Sequence, residues 1–164
     1  MQQQFTALAA YHAVMNRQFY TVCAGLSAEQ LAADQGVYFR SVIGTLNHML
    51  LTDQVWLATF EGSKYAYESL DQILFTDLES LREARAITDK EIAAWVAKLT
   101  EPQLQAGFHD RLTFPLWLAV THFFNHQTHH RGQLSALLSQ MGVDYGITDL
   151  PWVPEVAAIA GSAA

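Results

Sequence analysis

Residues 121–133 read T-H-F-F-N-H-Q-T-H-H-R-G-Q and hold four of the chain's seven histidines. On an α-helix, the four-residue spacing of His126 and His130 places both imidazoles on one face, with Cβ atoms about 6 Å apart. Two rings so placed can bind one metal ion, as in the H-E-x-x-H motif of zinc proteases. Gln127 stands where that motif has its glutamate, so the protease's general base is missing. The alternative is a pair of core histidines that are hydrogen-bonded to side chains or water.

The residues around this stretch predict a long helix that faces the core of a helical bundle. Apolar residues and the two histidines recur at alternating spacings of three and four, which is the pattern of a buried helix face. The positions are Leu116, Ala119, Phe123, His126, His130, Gln133 and Leu137. We predict that this helix begins near Thr113 and Pro115 and runs to Met141, because Gly142 is a typical stop signal.

Length and composition bound the class of protein. A chain of 164 residues, 51% of them hydrophobic, is long enough for one large core. We therefore predict a single domain over residues 1–164, in which 150–164 form a mobile tail, and the helical patterns along the chain predict that this domain is all-α. Charged residues make up only 15%, and the buried interface of a homodimer would account for so apolar a composition. The net charge of -7 argues against nucleic acid or an anionic membrane as a partner.

The cysteine content and the N-terminus favour a cytoplasmic location. The single cysteine, Cys23, excludes an intramolecular disulfide and a cysteine-rich zinc site, and it is consistent with a reducing compartment. The N-terminal sequence lacks the basic region and the apolar run of a signal peptide. The longest uncharged run is interrupted by histidines and amides, so it does not predict a membrane span.

Three further long helices are predicted from their apolar stripes and their capping residues. They are expected at about 3–24, 41–60 and 77–99. Ser27 and Gln30 form a capping-box pattern for a short helical turn. Residues 61–76 are too many for a tight turn and predict a crossover connection along the bundle. Residues 100–113 are predicted to form a polar loop, in which His109 is exposed.

Several polar residues lie within these predicted helices. His12 is expected to be a hydrogen-bonded core histidine, with a place at or next to a metal as the alternative. Asp53 is expected to face solvent. Arg85 interrupts the apolar stripe of the third helix, either as an anion-binding residue that lines a cavity or as an ion-paired residue at the edge of the core. Arg131 is expected to form an ion pair with Asp144 or Asp149.

Four long helices, a histidine in the second and the string N-H-Q-T-H-H-R-G-Q at 125–133 in the last resemble the DinB / YfiT-like family of metal-binding bundles. The string G-V-D-Y-G-I-T-D-L at 142–150 is similar to the family's ending. The resemblance covers nearly the whole chain. It implies a four-helix bundle with up-down-down-up topology, a metal site between the helices and, in many members, a homodimer.

The resemblance also supplies a ligand set, in which His48, His126 and His130 bind one divalent ion, most often zinc or nickel. His122 and His129 are not part of that set, although His122 could lie beside it. Three neutral imidazoles leave the ion its full charge and an open coordination position. Such an ion can lower the pKa of bound water to about 7 or hold a thiol as a thiolate.

Relatives in the family include thiol-dependent S-transferases and isomerases as well as metal hydrolases. The resemblance therefore implies a metal-dependent enzyme with a small-molecule substrate and a low-molecular-weight thiol as co-substrate. Transfer is favoured over hydrolysis because no carboxylate stands at the spacing of an obvious general base. The alternative is a stress-related metal- or ligand-binding protein without turnover. An open cavity lined by Arg85 or by tyrosines from 65–67 would favour the enzyme.

Overall fold

The computed structural model describes residues 1–108 and 114–161, and within them the chain forms seven α-helices and one 3₁₀ turn. The helices are α1 (Gln2–Cys23), α2 (Ala28–Ala32), α3 (Val42–Phe60), α4 (Leu78–Val96), α5 (Glu101–Gln105), α6 (Leu116–Gln140) and α7 (Pro154–Gly161). The all-α prediction is confirmed. The four predicted long helices correspond to α1, α3, α4 and α6, and their ends differ from the predicted ones by a few residues at most.

Side-chain caps determine where several helices begin. The Ser41 hydroxyl accepts a hydrogen bond from the Gly44 amide at the start of α3, and Asp77 caps α4 in the same way. The predicted capping box at Ser27 is present at α2. Gly44 also allows a close approach, because a Cβ at this position would overlap the carbonyl oxygen of Phe39. The chain before α3 therefore folds back tightly onto its first turn.

The relative directions of α3 and α6 follow from their side-chain contacts. His48 contacts His130, whereas Trp56, two turns further along α3, contacts His122, two turns earlier in α6. These two helices are therefore antiparallel. By the same comparison, α3 is parallel to α4, α1 is parallel to α6, and α1 is antiparallel to α4. The contacts used are Asp53–Arg85, Phe60–Trp95, Phe5–Phe124, His12–Arg131, Gln2–Ala97 and Asn16–Asp89.

The interior consists of two apolar layers with a polar layer between them. One apolar layer forms around Phe19, Leu46 and Leu134, and the other around Phe5 and Phe124. Each of the four long helices contributes at least one buried residue to the polar layer. These residues are His12, Asn16, Asp53, Arg85, Thr88, Gln127 and Arg131. The prediction that Asp53 faces solvent is therefore wrong: its side chain pairs with a residue of α4, which the sequence around Asp53 does not show.

Two short helices lie outside the long ones. The segment predicted as a polar loop contains α5, which begins with a capping box at Thr100. His109 and Thr113 lie outside the described residues. Near the C-terminus, Val153 and Val156 pack against Tyr11 and Met15 of α1, so α7 is docked on the bundle. Mobility of the tail over 150–164 stays a prediction, and 162–164 are not described.

No helix within the described residues is both long enough and apolar enough to cross a membrane.

Candidate metal centre

The structure brings the three predicted ligands together. His48 projects from the middle of α3, and His126 and His130 project from α6, one turn apart. The three imidazoles meet between the two helices at steep angles to one another, 54–75° between ring planes. The His130 Nε2 atom lies 3.1 Å from His48 Nε2 and 3.0 Å from His126 Nε2. The three candidate ligand atoms all lie within 4.8 Å of one another.

Hydrogen bonds to the far side of two rings determine which nitrogen faces the cluster. His48 Nδ1 donates to the carbonyl oxygen of Leu70 at 2.8 Å, and His130 Nδ1 donates to Gln133 Oε1 at 2.8 Å. The amide nitrogen of Gln133 contacts His129 at 3.2 Å, which supports this orientation of the amide. A neutral imidazole that donates through Nδ1 carries a lone pair on Nε2. His48 and His130 therefore point lone pairs at each other.

This donor set fits a divalent cation. Two lone pairs at 3.1 Å repel each other unless a positive charge lies between them. Two nitrogen ligands of a tetrahedral zinc ion, each at ~2.0–2.1 Å, are about 3.3 Å apart, close to the two short distances in the cluster. The backbone carbonyl that holds His48 Nδ1 is a usual partner of a ligating histidine, and the amide oxygen of Gln133 accepts from His130 Nδ1 in the same way.

The electrostatics of the cluster keep its rings neutral. Burial, followed by repulsion from the other imidazoles, lowers the pKa of His126 to about 3. Burial lowers the pKa of His130 to about 4, and it also lowers the pKa of His48. Metal ligation requires deprotonated imidazole. All three rings are therefore in the ligating form at neutral pH.

An aromatic side chain backs the cluster on the side of α3. The Phe39 ring stacks on His48 with 3.8 Å between centroids and an 18° angle, and it meets His130 edge-on at 5.4 Å. The close backbone approach at Gly44 holds this segment in place. Phe39 and Leu70 belong to connecting segments, so the helical spacing on which the sequence analysis relied gave no signal for either residue.

An open cavity of about 380 Å³ lies beside the cluster, with His48 and His126 in its wall. The rest of the wall is mainly aromatic and aliphatic, with two threonines. It consists of Thr52, Val55, Trp56, Thr59, Tyr67, Leu70, Phe108 and His122. A cavity of this size and character suits a small, mostly apolar molecule. Tyr67 lies in this wall, and a cavity lined by a tyrosine from 65–67 is the feature that the sequence analysis named as favouring an enzyme.

Arg85 does not line this cavity, so its interpretation as an anion-binding residue is wrong. Its guanidinium contacts Asp53 Oδ2 at 2.7 Å and Asp89 Oδ1 at 2.9 Å in the polar layer. Only 2% of the residue is exposed. The ion pair of the alternative interpretation is present, but the side chain lies inside the core rather than at its edge. Asp53 was missed as a partner because it comes from a different helix.

Arg131 also differs from its prediction. Its guanidinium lies 4.6 Å from the centre of the Tyr11 ring and donates to the Thr128 hydroxyl. Within the described residues it forms no ion pair with Asp144 or Asp149. A cation over an aromatic face can remain buried without a carboxylate partner.

The other three histidines that the structure describes are outside the cluster. His122 lies in the cavity wall, with its ring centre 6.1 Å from that of His126. His12 is buried in the polar layer, and its Nδ1 contacts Arg131 at 3.5 Å. His129 is exposed and contacts Gln133. The sequence analysis thus separated the cluster from its neighbours, with His48 supplied by the family resemblance alone.

Comparison with known proteins places the chain in a family and gives a structural relative. The model of the DinB family matches residues 1–162. No curated protein matches the sequence significantly. Among solved structures, a DinB-like protein from Bacillus cereus ATCC 10987 is 20% identical, with 81% of this chain and 89% of that chain covered and a TM-score of 0.59. At this identity the similarity concerns the fold.

Proposed function

The chain belongs to the DinB family, and from that premise we propose that it is a metal-dependent enzyme. His48, His126 and His130 would bind one divalent ion, zinc or nickel. The observation that carries the proposal is the convergence of three neutral imidazoles beside an open cavity. A structural site is closed on all sides, whereas a catalytic site keeps one position accessible to a substrate.

Within this proposal, thiol-dependent S-transfer is favoured over hydrolysis. When bound, the ion would supply the positive charge that stabilises a thiolate near neutral pH. The described residues of the cavity wall include no aspartate or glutamate that could take a proton from water. Their apolar character suits the carbon skeleton of an electrophile, which would react with a low-molecular-weight thiol. Sulfur and carbon would form a bond, and the leaving group would depart with its electron pair.

The chain's own residues would have distinct roles in this reaction. Leu70 and Gln133 hold two imidazoles in the ligating tautomer through their Nδ1 atoms. Trp56, Phe108 and Tyr67 would bind the small-molecule substrate and exclude water from the reacting atoms. Exclusion of water strengthens every electrostatic interaction inside the cavity.

We also propose a topology, an oligomeric state and a cellular location for this enzyme. The directions of α1, α3, α4 and α6 support an up-down-down-up four-helix bundle, with residues 61–77 as the connection that joins two parallel helices. The apolar composition supports a homodimer. The single buried cysteine supports a cytoplasmic location, and the net charge supports a function without nucleic acid or membrane partners.

A screen of the metallated protein tests this function. The protein would be assayed with several low-molecular-weight thiols, each combined with a neutral aromatic electrophile, and separately with esters. The proposal expects turnover above that of free metal with at least one thiol, and its loss in His48→Ala. If no combination exceeds free metal, the chain is better described as a metal- or ligand-binding protein. Turnover of esters alone would favour the hydrolase.

A further inference from the structure

A much smaller cavity lies in the polar layer, and none of the three cluster histidines lines it. Its volume is about 10 Å³, which is the lower limit for one water molecule. Side chains from four helices line it, and almost all of them are buried. They are Ala9, His12, Asp53, Asp89, Ile92, Phe123, Phe124 and Gln127.

Three of the lining residues each have a buried polar atom that has no partner within the described residues. These atoms are His12 Nε2, Asp53 Oδ1 and Gln127 Oε1. They come from α1, α3 and α6. A buried polar group without a hydrogen bond is costly, and native proteins satisfy nearly all of them with protein groups or ordered water.

The donor or acceptor role of His12 follows from its other nitrogen. Arg131 can only donate, and it contacts His12 Nδ1 at 3.5 Å, so this nitrogen accepts. Burial lowers the pKa of His12 well below its ordinary value, so the ring is neutral. A neutral ring that accepts at Nδ1 carries its proton on Nε2. His12 therefore presents a donor to the cavity.

The other two atoms are acceptors. Asp53 uses Oδ2 to accept from Arg85 at 2.7 Å, and the Gln127 side chain also lies against this carboxylate and acts to lower its pKa, while Oδ1 remains a buried acceptor. Gln127 uses its amide nitrogen to donate to the carbonyl oxygen of Met49 at 3.2 Å, which leaves Oε1 as an acceptor. A molecule that satisfies all three atoms must therefore donate two hydrogen bonds, to Asp53 and Gln127, and accept one from His12.

We propose that a single internal water molecule occupies this cavity and joins α1, α3 and α6. It donates one proton to Asp53 and one to Gln127, and it accepts the proton of His12. Three hydrogen bonds are the usual number for a buried water. A metal ion is excluded by the His12 proton and by the size of the cavity, and an anion is excluded by the Asp53 carboxylate.

The position of this water connects it to the histidine cluster. Gln127 follows His126 in α6, and its amide bonds the carbonyl of Met49, which follows His48 in α3. The water therefore lies one hydrogen bond behind a contact that joins α3 and α6 next to the cluster. It fixes the orientation of the Gln127 amide, because only the oxygen can accept from the water while the nitrogen donates to Met49.

Crystallography and NMR of the full chain test the proposal directly. In a crystal structure at high resolution and pH about 8, where Asp53 is ionised, we expect a water peak within hydrogen-bonding distance of all three atoms. ¹⁵N spectra of the histidine side chains should show His12 as the Nε2–H tautomer. An empty cavity or the Nδ1–H tautomer of His12 would overturn the proposal.

Two variants and a control make the test independent of a single substitution. His12→Phe removes the donor, and Gln127→Met removes an acceptor while it keeps the length of the side chain. The water peak should be lost in each variant that folds and should remain in His129→Phe, which removes an exposed histidine that does not line this cavity. A peak that persists in both His12→Phe and Gln127→Met would contradict a site built from these three partners. None of these measurements requires the bound metal.

Discussion

Replacement of Arg85 by methionine tests the account of the polar layer. The side chain is buried and contacts two carboxylates, Asp53 at 2.7 Å and Asp89 at 2.9 Å. Arg85→Met removes the cation and leaves both acids in the interior. The loss of one partner from a buried ion pair costs about 3–5 kcal/mol. For a chain of this size, each kcal/mol corresponds to ~2–4 °C in melting temperature, so we expect a decrease of about 6–20 °C.

The measurement is thermal unfolding at pH 8, above the pKa of about 6 to which burial raises Asp53, with urea unfolding as an independent estimate. Arg82→Met is the matched control, because Arg82 lies on the same helix and forms an exposed ion pair with Glu79. Exposed pairs contribute about 0–1 kcal/mol, so the control should melt close to the wild type. An Arg85→Met protein that melts within ~2 °C of the Arg82→Met protein would refute a stabilising buried ion pair.

Four further predictions follow from the site and the composition. Burial raises the pKa of Asp53 to about 6, above the ~3.9 of an exposed aspartate, so folding takes up a proton in this range. Urea unfolding should therefore show that the wild type gains stability relative to Asp53→Asn as the pH falls from about 7 to 4; an unchanged difference would contradict this. Because burial lowers the pKa of His126 to about 3, the metal-free protein should lose stability as the pH falls below ~6.5, and His126→Ala should lose less in the same melting series. His122→Ala should retain its metal in elemental analysis, since His122 lines the cavity outside the cluster; metal loss would make it a ligand. Light scattering at micromolar concentration should give the mass of a dimer, and a monomer would refute the homodimer.

The helices could be predicted because their signals are local. Apolar stripes of period 3.6 and side-chain caps such as Ser41 lie within the segment that they define, so tertiary context did not override them. The short helix α5 and the docked helix α7 were missed because they lack such local signals. Five to eight residues carry too little periodicity, and the burial of Val156 depends on α1, which is far away in the sequence.

The residues of the candidate site likewise divide into those that have a local sequence signal and those that have none. His126 and His130 were identifiable from their spacing within one helix, whereas His48 came from the family resemblance, since a lone histidine has no spacing to interpret. Leu70 and Phe39 could not be found because they act from irregular segments. Asp53 was misplaced for a physical reason: an acid is normally exposed, and its burial here depends on a cation from α4.

Elemental analysis of the untagged protein tests the central claim most directly. The protein would be purified without a histidine tag, reconstituted with zinc or nickel, and freed of unbound ions before the metal content per chain is measured. The account predicts about one divalent ion per chain in the wild type and almost none in the His126→Ala/His130→Ala double variant. Full occupancy in the double variant, or none in the wild type, would contradict a metal centre built on His48, His126 and His130.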